Sequence, residues 1–192
     1  MSGSLFAQKS KEQSGIQLNT GAGINKIQGP LGKTFRSTVA FNSGFEKSIR
    51  NNWYGQLEVN FNSLKYDQQK KDSNSDYLFQ NTNSSLFMAG LNIGKDFHWG
   101  NTGWFNSIYT GTGYINIGEP RISLDLINNI ITQSVVRRAG ILGKGGTRIG
   151  YTTKSKLLQT IYIDGSYWIS TLKTNDKAVR SISVFLGIRM AM

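Results

Sequence analysis

The sequence of 192 residues contains no cysteine, only two prolines and a single histidine. Without cysteine the chain has no disulfide framework and no thiolate metal site, which is compatible with an oxidising compartment such as the periplasm. It also lacks any run of about 18 apolar residues, so no transmembrane helix is predicted. Glycine, by contrast, occurs 22 times, and aromatic residues make up 11% of the chain. This composition is typical of many strands joined by turns within one domain.

The formal net charge of +11 indicates an acidic partner. The basic residues are scattered along the chain, and neither a basic helix nor an aromatic stacking motif accompanies them. Nucleic acid is therefore not the expected partner. Anionic lipid headgroups suit scattered charges at the rim of a membrane protein better. The candidate contacts with anionic lipid or a protein partner are Lys70, Lys71, Arg137 and Arg138.

Polar and apolar residues alternate in eight segments. A period of two predicts β-strands that face two different environments. Each segment is long enough to cross a bilayer when tilted, which takes about 9–11 residues. The strands are predicted at 15–27, 33–49, 53–66, 85–99, 104–117, 139–151, 157–171 and 179–192.

The predicted connections differ in length on the two sides of the sheet. Those at 50–52, 100–103 and 152–156 are short, whereas those at 67–84 and 118–138 are long. An outer-membrane barrel has short turns on its periplasmic side and long loops outside. The sequence therefore predicts an eight-stranded, antiparallel, up-and-down transmembrane β-barrel over residues 15–192.

The long segment 118–138 has two interpretations. A two-residue turn at Asn128 and Asn129 would make it a projecting hairpin, because asparagine tolerates the left-handed backbone of such turns. Glu119 and Pro120 would then mark a bulge. The alternative is a short helix, since the apolar residues between 126 and 135 also fit a period of 3.6.

The hairpin interpretation predicts a specific register between its two arms, 104–127 and 130–153. In this register Ile108 would lie opposite Ile149, Thr110 opposite Thr147, and Tyr109 opposite Arg148. The inward and outward assignments of the two arms agree with each other.

A soluble lipocalin-like barrel would show the same alternation, so the polarity of the two faces must decide. With the apolar faces outward, the narrow lumen receives charges of both signs that can pair. The predicted lumen ion-pair network consists of Arg36, Glu58, Asp96, Lys144, Arg148, Asp164 and Arg189. Apolar faces turned inward would instead leave rows of glycine and asparagine on the outside. The membrane barrel is therefore favoured.

Tryptophan positions give independent support for the membrane barrel. Trp53, Trp99 and Trp104 lie beside the short turns, and Trp168 lies toward the long connections together with Tyr66. Aromatic residues at both ends of the strands match the girdles of a transmembrane barrel. We therefore predict that these tryptophans lie at the two membrane interfaces.

The pattern over residues 15–192 resembles the small outer-membrane β-barrels of the OmpA/OmpX type and, more loosely, the PorT-like barrels associated with type IX secretion. The final strand, SISVFLGIRMAM, resembles the outer-membrane assembly signal, with Gly187, Met190 and Met192 in the matching places. It departs from that signal by ending in methionine rather than an aromatic residue. Residues 1–14 are expected to form a polar tail, in which SLFAQ resembles the end of a signal peptide.

This resemblance implies location in the outer membrane and a non-enzymatic scaffold that binds lipopolysaccharide or a protein partner through its outer loops. An accessory subunit of a larger secretion or receptor complex is the alternative. A narrow pore and a lipid A-modifying enzyme are the less favoured possibilities. A barrel fold alone does not identify the partner.

The motifs of lipid A-modifying barrels are matched poorly. The deacylases use a His-x-Ser pair, but His98 is followed by Trp99 and Gly100. The palmitoyl transferases use an Asp-Ser pair, which Asp72 and Ser73 match without an external histidine to serve as base. The segment 67–76 offers only a weak calcium site, and GKGGTR lacks the spacing of a phosphate-binding loop. No catalytic residue, cofactor or metal is therefore expected.

Overall fold

The alternating segments form eight antiparallel strands in the computed structural model, which describes residues 15–29, 31–72, 75–125, 127–128, 130–155, 157–174 and 177–192. The strands are β1 (Ile16–Ile27), β2 (Phe35–Ser48), β3 (Trp53–Asp72), β4 (Ser75–His98), β5 (Trp104–Asp125), β6 (Ile130–Thr152), β7 (Leu158–Thr174) and β8 (Lys177–Ala191). A single helical turn, α1 (Leu31–Thr34), lies between β1 and β2. The predicted tail at 1–14 lies outside the described residues.

The sheet closes into a barrel in which every strand pairs with its neighbours in the sequence. The closing seam joins β1 to β8 from the pair Gln17 and Ala191 to the pair Ile27 and Ser181. The backbone N–H of Met192 also donates to the carbonyl of Ile16 at 3.3 Å. The predicted eight-stranded up-and-down barrel is confirmed.

Within the described part of the chain, no helix is long and apolar enough to cross a membrane.

Apolar side chains cover the outside of the barrel. Phe41, Leu91 and Leu186 are 52%, 64% and 62% exposed, although burial would normally be favoured for such residues. Similar residues on all eight strands form a continuous apolar belt, which runs from Ile16, Trp53 and Tyr151 near the short turns to Ile24, Phe61 and Ile182 at the other end. A patch of this size marks contact with lipid. A soluble barrel, which would bury these faces, does not match this polarity.

The inside of the barrel has two layers. The half near the short turns is charged and polar, with Glu46, Arg148 and Asp164 each at most 2% exposed. The other half is an apolar cluster, to which α1 contributes Leu31. The cluster consists of Ile27, Leu31, Phe35, Leu64, Tyr66, Leu86, Met88, Ile115, Ile117, Leu142, Trp168, Leu172 and Val179. The barrel interior is therefore filled by side chains.

The long connection at 118–138 is a hairpin, and the helix interpretation is wrong. β5 pairs with β6 without interruption to Asp125 and Ile130, so the turn centres on Ile127 and Asn128 and not on Asn128 and Asn129. No bulge occurs at Pro120, which pairs with Val135. Pro120 lies beyond the last pairing of β5 with β4, where β5 has a partner on one side only and a missing N–H is tolerated.

The predicted hairpin register is wrong by two residues. Ile108 pairs with Thr147, Tyr109 with Gly146, and Thr110 with Gly145. A shift by two residues keeps every side chain on its own face, which explains why the inward and outward assignments remained correct. The error follows from the one-residue displacement of the turn.

The predicted loop at 67–84 is also a hairpin. Pairing of β3 with β4 continues from Gln68 and Phe79 to Asp72 and Ser75, after a register shift that follows Tyr66. The sequence of this segment is mostly polar and has no regular alternation of polar and apolar residues. Alternation is then lost although the strand continues.

Three predicted side-chain positions are wrong, namely those of Arg36, Trp168 and Tyr66. A register shift in β2 between Ser37 and Ala40 reverses the alternation, so Phe35 is buried and Arg36 lies outside the lumen with 58% of its side chain exposed. Trp168 is fully buried in the apolar cluster, because it shares the inward face of β7 with Asp164. Tyr66 is fully buried there too.

Candidate functional site

Glu46 is the centre of the ion pairs in the lumen. Its carboxylate accepts from Arg148 Nη1 at 3.0 Å and from Arg189 Nη2 at 2.9 Å. Asn19 Nδ2 donates to it at 2.9 Å. Glu46 lies on the inward face of β2 together with Asn42, and it was absent from the predicted network. The pairing of two arginines with one carboxylate links β2 to β6 and β8 across the lumen.

The two arginines also reach the other carboxylates. Arg148 Nε lies 3.3 Å from Asp164 Oδ2, and Arg189 Nη1 lies 3.3 Å from Asp96 Oδ2. The Tyr109 hydroxyl donates to Asp164 at 2.7 Å. The buried charges therefore receive hydrogen bonds as well as ion pairs, which compensates for their desolvation.

Glu58 and Lys144 form a neighbouring ion pair with a distance of 2.6 Å between Oε1 and Nζ. Asn60 and Asn92 donate to the same carboxylate. We call Glu46, Glu58, Asp96, Asp164, Lys144, Arg148 and Arg189 the lumen network. Arg36 is the one predicted member that the structure places elsewhere.

Aromatic rings surround the network, and each lies against a glycine of the next strand. A Cβ atom built on Gly187 would lie 2.5 Å from the Tyr162 ring, and one built on Gly94 would lie 2.5 Å from the Tyr54 ring. The guanidinium of Arg148 lies 4.4 Å from the centre of the Tyr162 ring. Glycine thus makes room for the rings that contact the arginines.

The lumen is closed at two levels. The lumen network fills the half of the lumen near the short turns with paired charges. The apolar cluster fills the half near the projecting hairpins. A cavity of about 10 Å³ between the two layers has room for a single water molecule. This arrangement holds the strands together and fills the described part of the lumen with side chains.

Basic side chains ring the outside of the barrel just beyond the apolar belt, on the side of the projecting hairpins. This basic rim consists of Lys26, Arg36, Lys65, Lys173 and Arg180. Its members lie on β1, β2, β3, β7 and β8, which are contiguous through the closing seam. At the same level β4 and β5 present neutral residues, namely Asn83, Ser85 and Asn116. On β6, exposed Arg137 lies opposite Gly118, so the uncharged part of this level is limited to β4 and β5.

Two members of the rim lie directly opposite each other. Arg36 pairs in register with Lys65, and like charges in that position repel. Arg36 forms an ion pair of 2.7 Å with Asp67, and Lys65 donates to Asn83 at 2.7 Å.

The other predicted contact residues lie on the hairpins. Arg137 and Arg138 are exposed on β6, and Arg138 lies 3.2 Å from the buried carboxylate of Glu119, which also pairs with Arg121. The side chains of Lys70 and Lys71 lie outside the described residues. Cross-hairpin ion pairs of this kind hold the two arms of the β5–β6 hairpin together.

The candidate catalytic motifs receive no support from the geometry. His98 is exposed at the end with the short turns, with its ring centre 5.8 Å from that of Phe105. GKGGTR lies within β6 as a glycine-rich strand. Ser73 and the Asp72 side chain fall outside the described residues. The described residues contain no group of three or more His, Cys, Asp or Glu arranged to hold a metal ion.

No protein-family model and no curated protein sequence matches this chain. Solved structures match its fold. Neisserial surface protein A aligns with a TM-score of 0.54 and 16% identity, over 93% of this chain and 98% of that one. The chain has the fold of a small outer-membrane β-barrel.

Two further barrels align less closely. The N-terminal barrel domain of Pseudomonas aeruginosa OprF has a TM-score of 0.47 and 11% identity, over 92% of this chain and 98% of that one. The attachment invasion locus protein Ail of Yersinia pestis has a TM-score of 0.45 and 13% identity, over 92% and 99%. The apolar belt on an outer-membrane barrel fold places this protein in the outer membrane.

Proposed function

We propose that this protein is a non-enzymatic outer-membrane scaffold that binds lipopolysaccharide through its basic rim. The observation that carries the proposal is the position of the rim, directly beyond the apolar belt on the side of the projecting hairpins. Short turns face the periplasm in such barrels, so the hairpins face outward. The rim then lies at the level of the lipid A phosphates in the outer leaflet.

The strength of this attraction follows from the number of cations. A basic side chain near an anionic membrane surface contributes about 1 kcal/mol. Lys26, Lys65 and Arg180 together would contribute about 3 kcal/mol, which is roughly a hundredfold in affinity. The long stems of these side chains pack along the barrel while their charged ends reach the phosphates.

The test replaces Lys26, Lys65 and Arg180 by glutamine in one variant. The matched control replaces Lys47, Arg50 and Lys154, which are exposed at the other end of the barrel, so both variants lose the same charge. Lipid A retained per barrel after a salt wash is measured by mass spectrometry of protein purified from native outer membranes. We expect the rim variant to lose lipid A and the control to keep it. Equal retention by both variants and the wild type would refute the proposal.

The β5–β6 hairpin supports a second function, the binding of a protein partner. β6 pairs with β7 only as far as Leu142 and Ser170, and residues 132–139 of β6 are exposed on both faces. An open strand edge with exposed Val135 and Val136 can pair with an extended segment of another chain. Such a partner would make this protein an accessory subunit of a larger outer-membrane complex.

Deletion of residues 122–136 tests this second function. We expect the deletion to abolish co-purification of any protein that the wild type retains in mild detergent at near-equal amounts. A control in which only residues 126–129 are replaced by Asn-Gly keeps the arms and should keep the partner. Retention of the same protein after the deletion would exclude the hairpin as its binding site.

A further inference from the structure

The outer wall of the barrel has a depression of about 450 Å³ on the side away from most of the basic rim. Its floor is Ala89 on β4, and its walls include Leu57, Leu91, Tyr114 and Ile141 from β3 to β6. The other outward residues of β4 in this region, Phe87, Leu91 and Ile93, are all large. The short side chain of Ala89 therefore creates a step in an otherwise continuous apolar surface.

The depression lies in the half of the belt nearest the hairpins. On β4 the outward apolar residues run from Phe97 to Phe87, and Ala89 is next to the last of them. Ala89 pairs with Tyr114, which in turn pairs with Ile141. The depression therefore faces the acyl chains of the outer leaflet.

An exposed cation stands above the depression. Beyond the pair of Tyr114 and Ile141, the outward column continues with Asn116 and Ala139 and then with Gly118 and Arg137. Four residues of strand rise about 13 Å, which an arginine side chain can partly span by bending toward the membrane. Among the described residues no carboxylate forms an ion pair with Arg137. Its charge is available to a ligand.

We propose that one lipid A molecule binds at this wall, with an acyl chain in the depression over Ala89 and a phosphate on Arg137. The proposal rests on the proposed binding of lipopolysaccharide and assigns it a second position that uses none of the rim residues tested above. Apolar walls for an acyl chain and a cation on the side of the headgroups are the features that such a lipid requires. Because lipid tails are as apolar as the wall, the gain comes from close packing and from the ion pair.

The first test fills the depression. Ala89→Leu adds bulk at its floor, and Ala22→Leu makes the same change on the outward face of β1, across the barrel. Folding of both variants is checked by their heat-dependent migration in gels. The folded proteins are titrated with purified lipid A and the lipids bound per barrel are counted by native mass spectrometry. We expect Ala89→Leu and Arg137→Gln each to lower the occupancy of one bound lipid A about threefold, which is consistent with the size of packing energies. The control Ala22→Leu should leave the occupancy unchanged.

Unchanged occupancy in Ala89→Leu would overturn the proposal. If the rim variant loses lipid A while Ala89→Leu does not, the depression is not a lipid site although the proposed function stands. If Ala89→Leu loses one lipid A while the rim variant keeps all of its bound lipid A, the depression is supported as a lipid site. The proposed binding through the basic rim is then refuted.

A second test separates a lipid from a second copy of the chain. Because the sequence has no cysteine, Ala89→Cys carries the only thiol of the protein. If lipid A fills the depression, the thiol in native membranes reacts slowly with an apolar maleimide, and removal of lipid A accelerates the reaction. Complete formation of a disulfide-linked dimer in those membranes would instead show that the wall is a barrel–barrel interface and would overturn the proposal.

Discussion

Arg148 and Glu46 face each other across the lumen from strands that are not neighbours, and 3.0 Å separates their charged atoms. Each side chain is only 2% exposed. Their contact therefore braces opposite walls of the barrel, in a place where unpaired charge would be costly.

Truncation of Glu46 should destabilise the barrel strongly. Glu46→Ala leaves Arg148 and Arg189 facing each other without their shared carboxylate, and loss of one partner of a buried pair costs about 3–5 kcal/mol. Urea unfolding in lipid vesicles, followed by tryptophan fluorescence, measures the change. Glu46→Gln keeps the hydrogen-bonding shape and should lose less. A loss below about 0.5 kcal/mol for Glu46→Ala would show that the pair contributes little.

The barrel should not conduct ions. Both the lumen network and the apolar cluster block the path, so purified protein in planar bilayers is expected to give no current steps. A wide porin of 16 strands, reconstituted in the same way, serves as the positive control. Reproducible unitary steps from this protein would contradict the closed lumen.

Glycines that lie under aromatic rings should tolerate no side chain. Gly187→Ala would place a methyl group 2.5 Å from atoms of the Tyr162 ring, and overpacking of this kind costs about 1–3 kcal/mol. Gly165→Ala is the matched control, because a Cβ there has no atom within 4 Å. Unfolding midpoints in denaturant measure both variants. Equal midpoints for the two would mean that the rings move aside without cost.

The tryptophans should divide into one buried and three interfacial residues. Trp168 is fully buried, whereas Trp53, Trp99 and Trp104 are 42%, 53% and 46% exposed near the short turns. We expect lipids brominated near the carbonyl to quench a Trp168→Phe variant more strongly than lipids brominated at the chain end. A variant that retains only Trp168 should resist both lipids. Strong quenching of Trp168 would place its ring outside the barrel.

The barrel could be predicted because lipid and a polar lumen impose opposite demands on adjacent residues. β8 shows this clearly: Ile182, Val184 and Leu186 face lipid while Ser181, Ser183 and Arg189 face inward, as their alternation predicts. Alternation fails where that contrast ends. In the arms above the membrane, and where the apolar cluster fills the lumen, polar and apolar residues do not alternate clearly. For this reason the sequence did not predict where β3 and β4 end.

The candidate site could be predicted only where alternation was unbroken. Asp164 and Arg189 are found in the lumen because buried inward residues alternate with outward ones along 160–164 and 181–189, although a register shift lies beside Arg189. Arg36 is misplaced because one register shift in β2 reverses its face, and sequence patterns alone do not reveal such a shift. Glu46 could have been included, since it alternates with the apolar residues Phe41 and Phe45 in the same way as Asn42 does. The depression over Ala89 needs the packing of four strands and has no sequence signal.

The seam between β1 and β8 has a kinetic consequence. Gln17 pairs with Ala191, so the last contacts of the ring join residues separated by nearly the whole chain. Closing so long a segment costs conformational entropy before its contacts form and stabilise the barrel. Folds of high contact order therefore form slowly. Until the seam forms, β1 and β8 each expose an unpaired edge inside a membrane that cannot hydrogen-bond to it. The pairs of the seam are therefore expected to form together in one step. Before that step the protein is an open sheet, whose two unpaired edges a folding catalyst must protect.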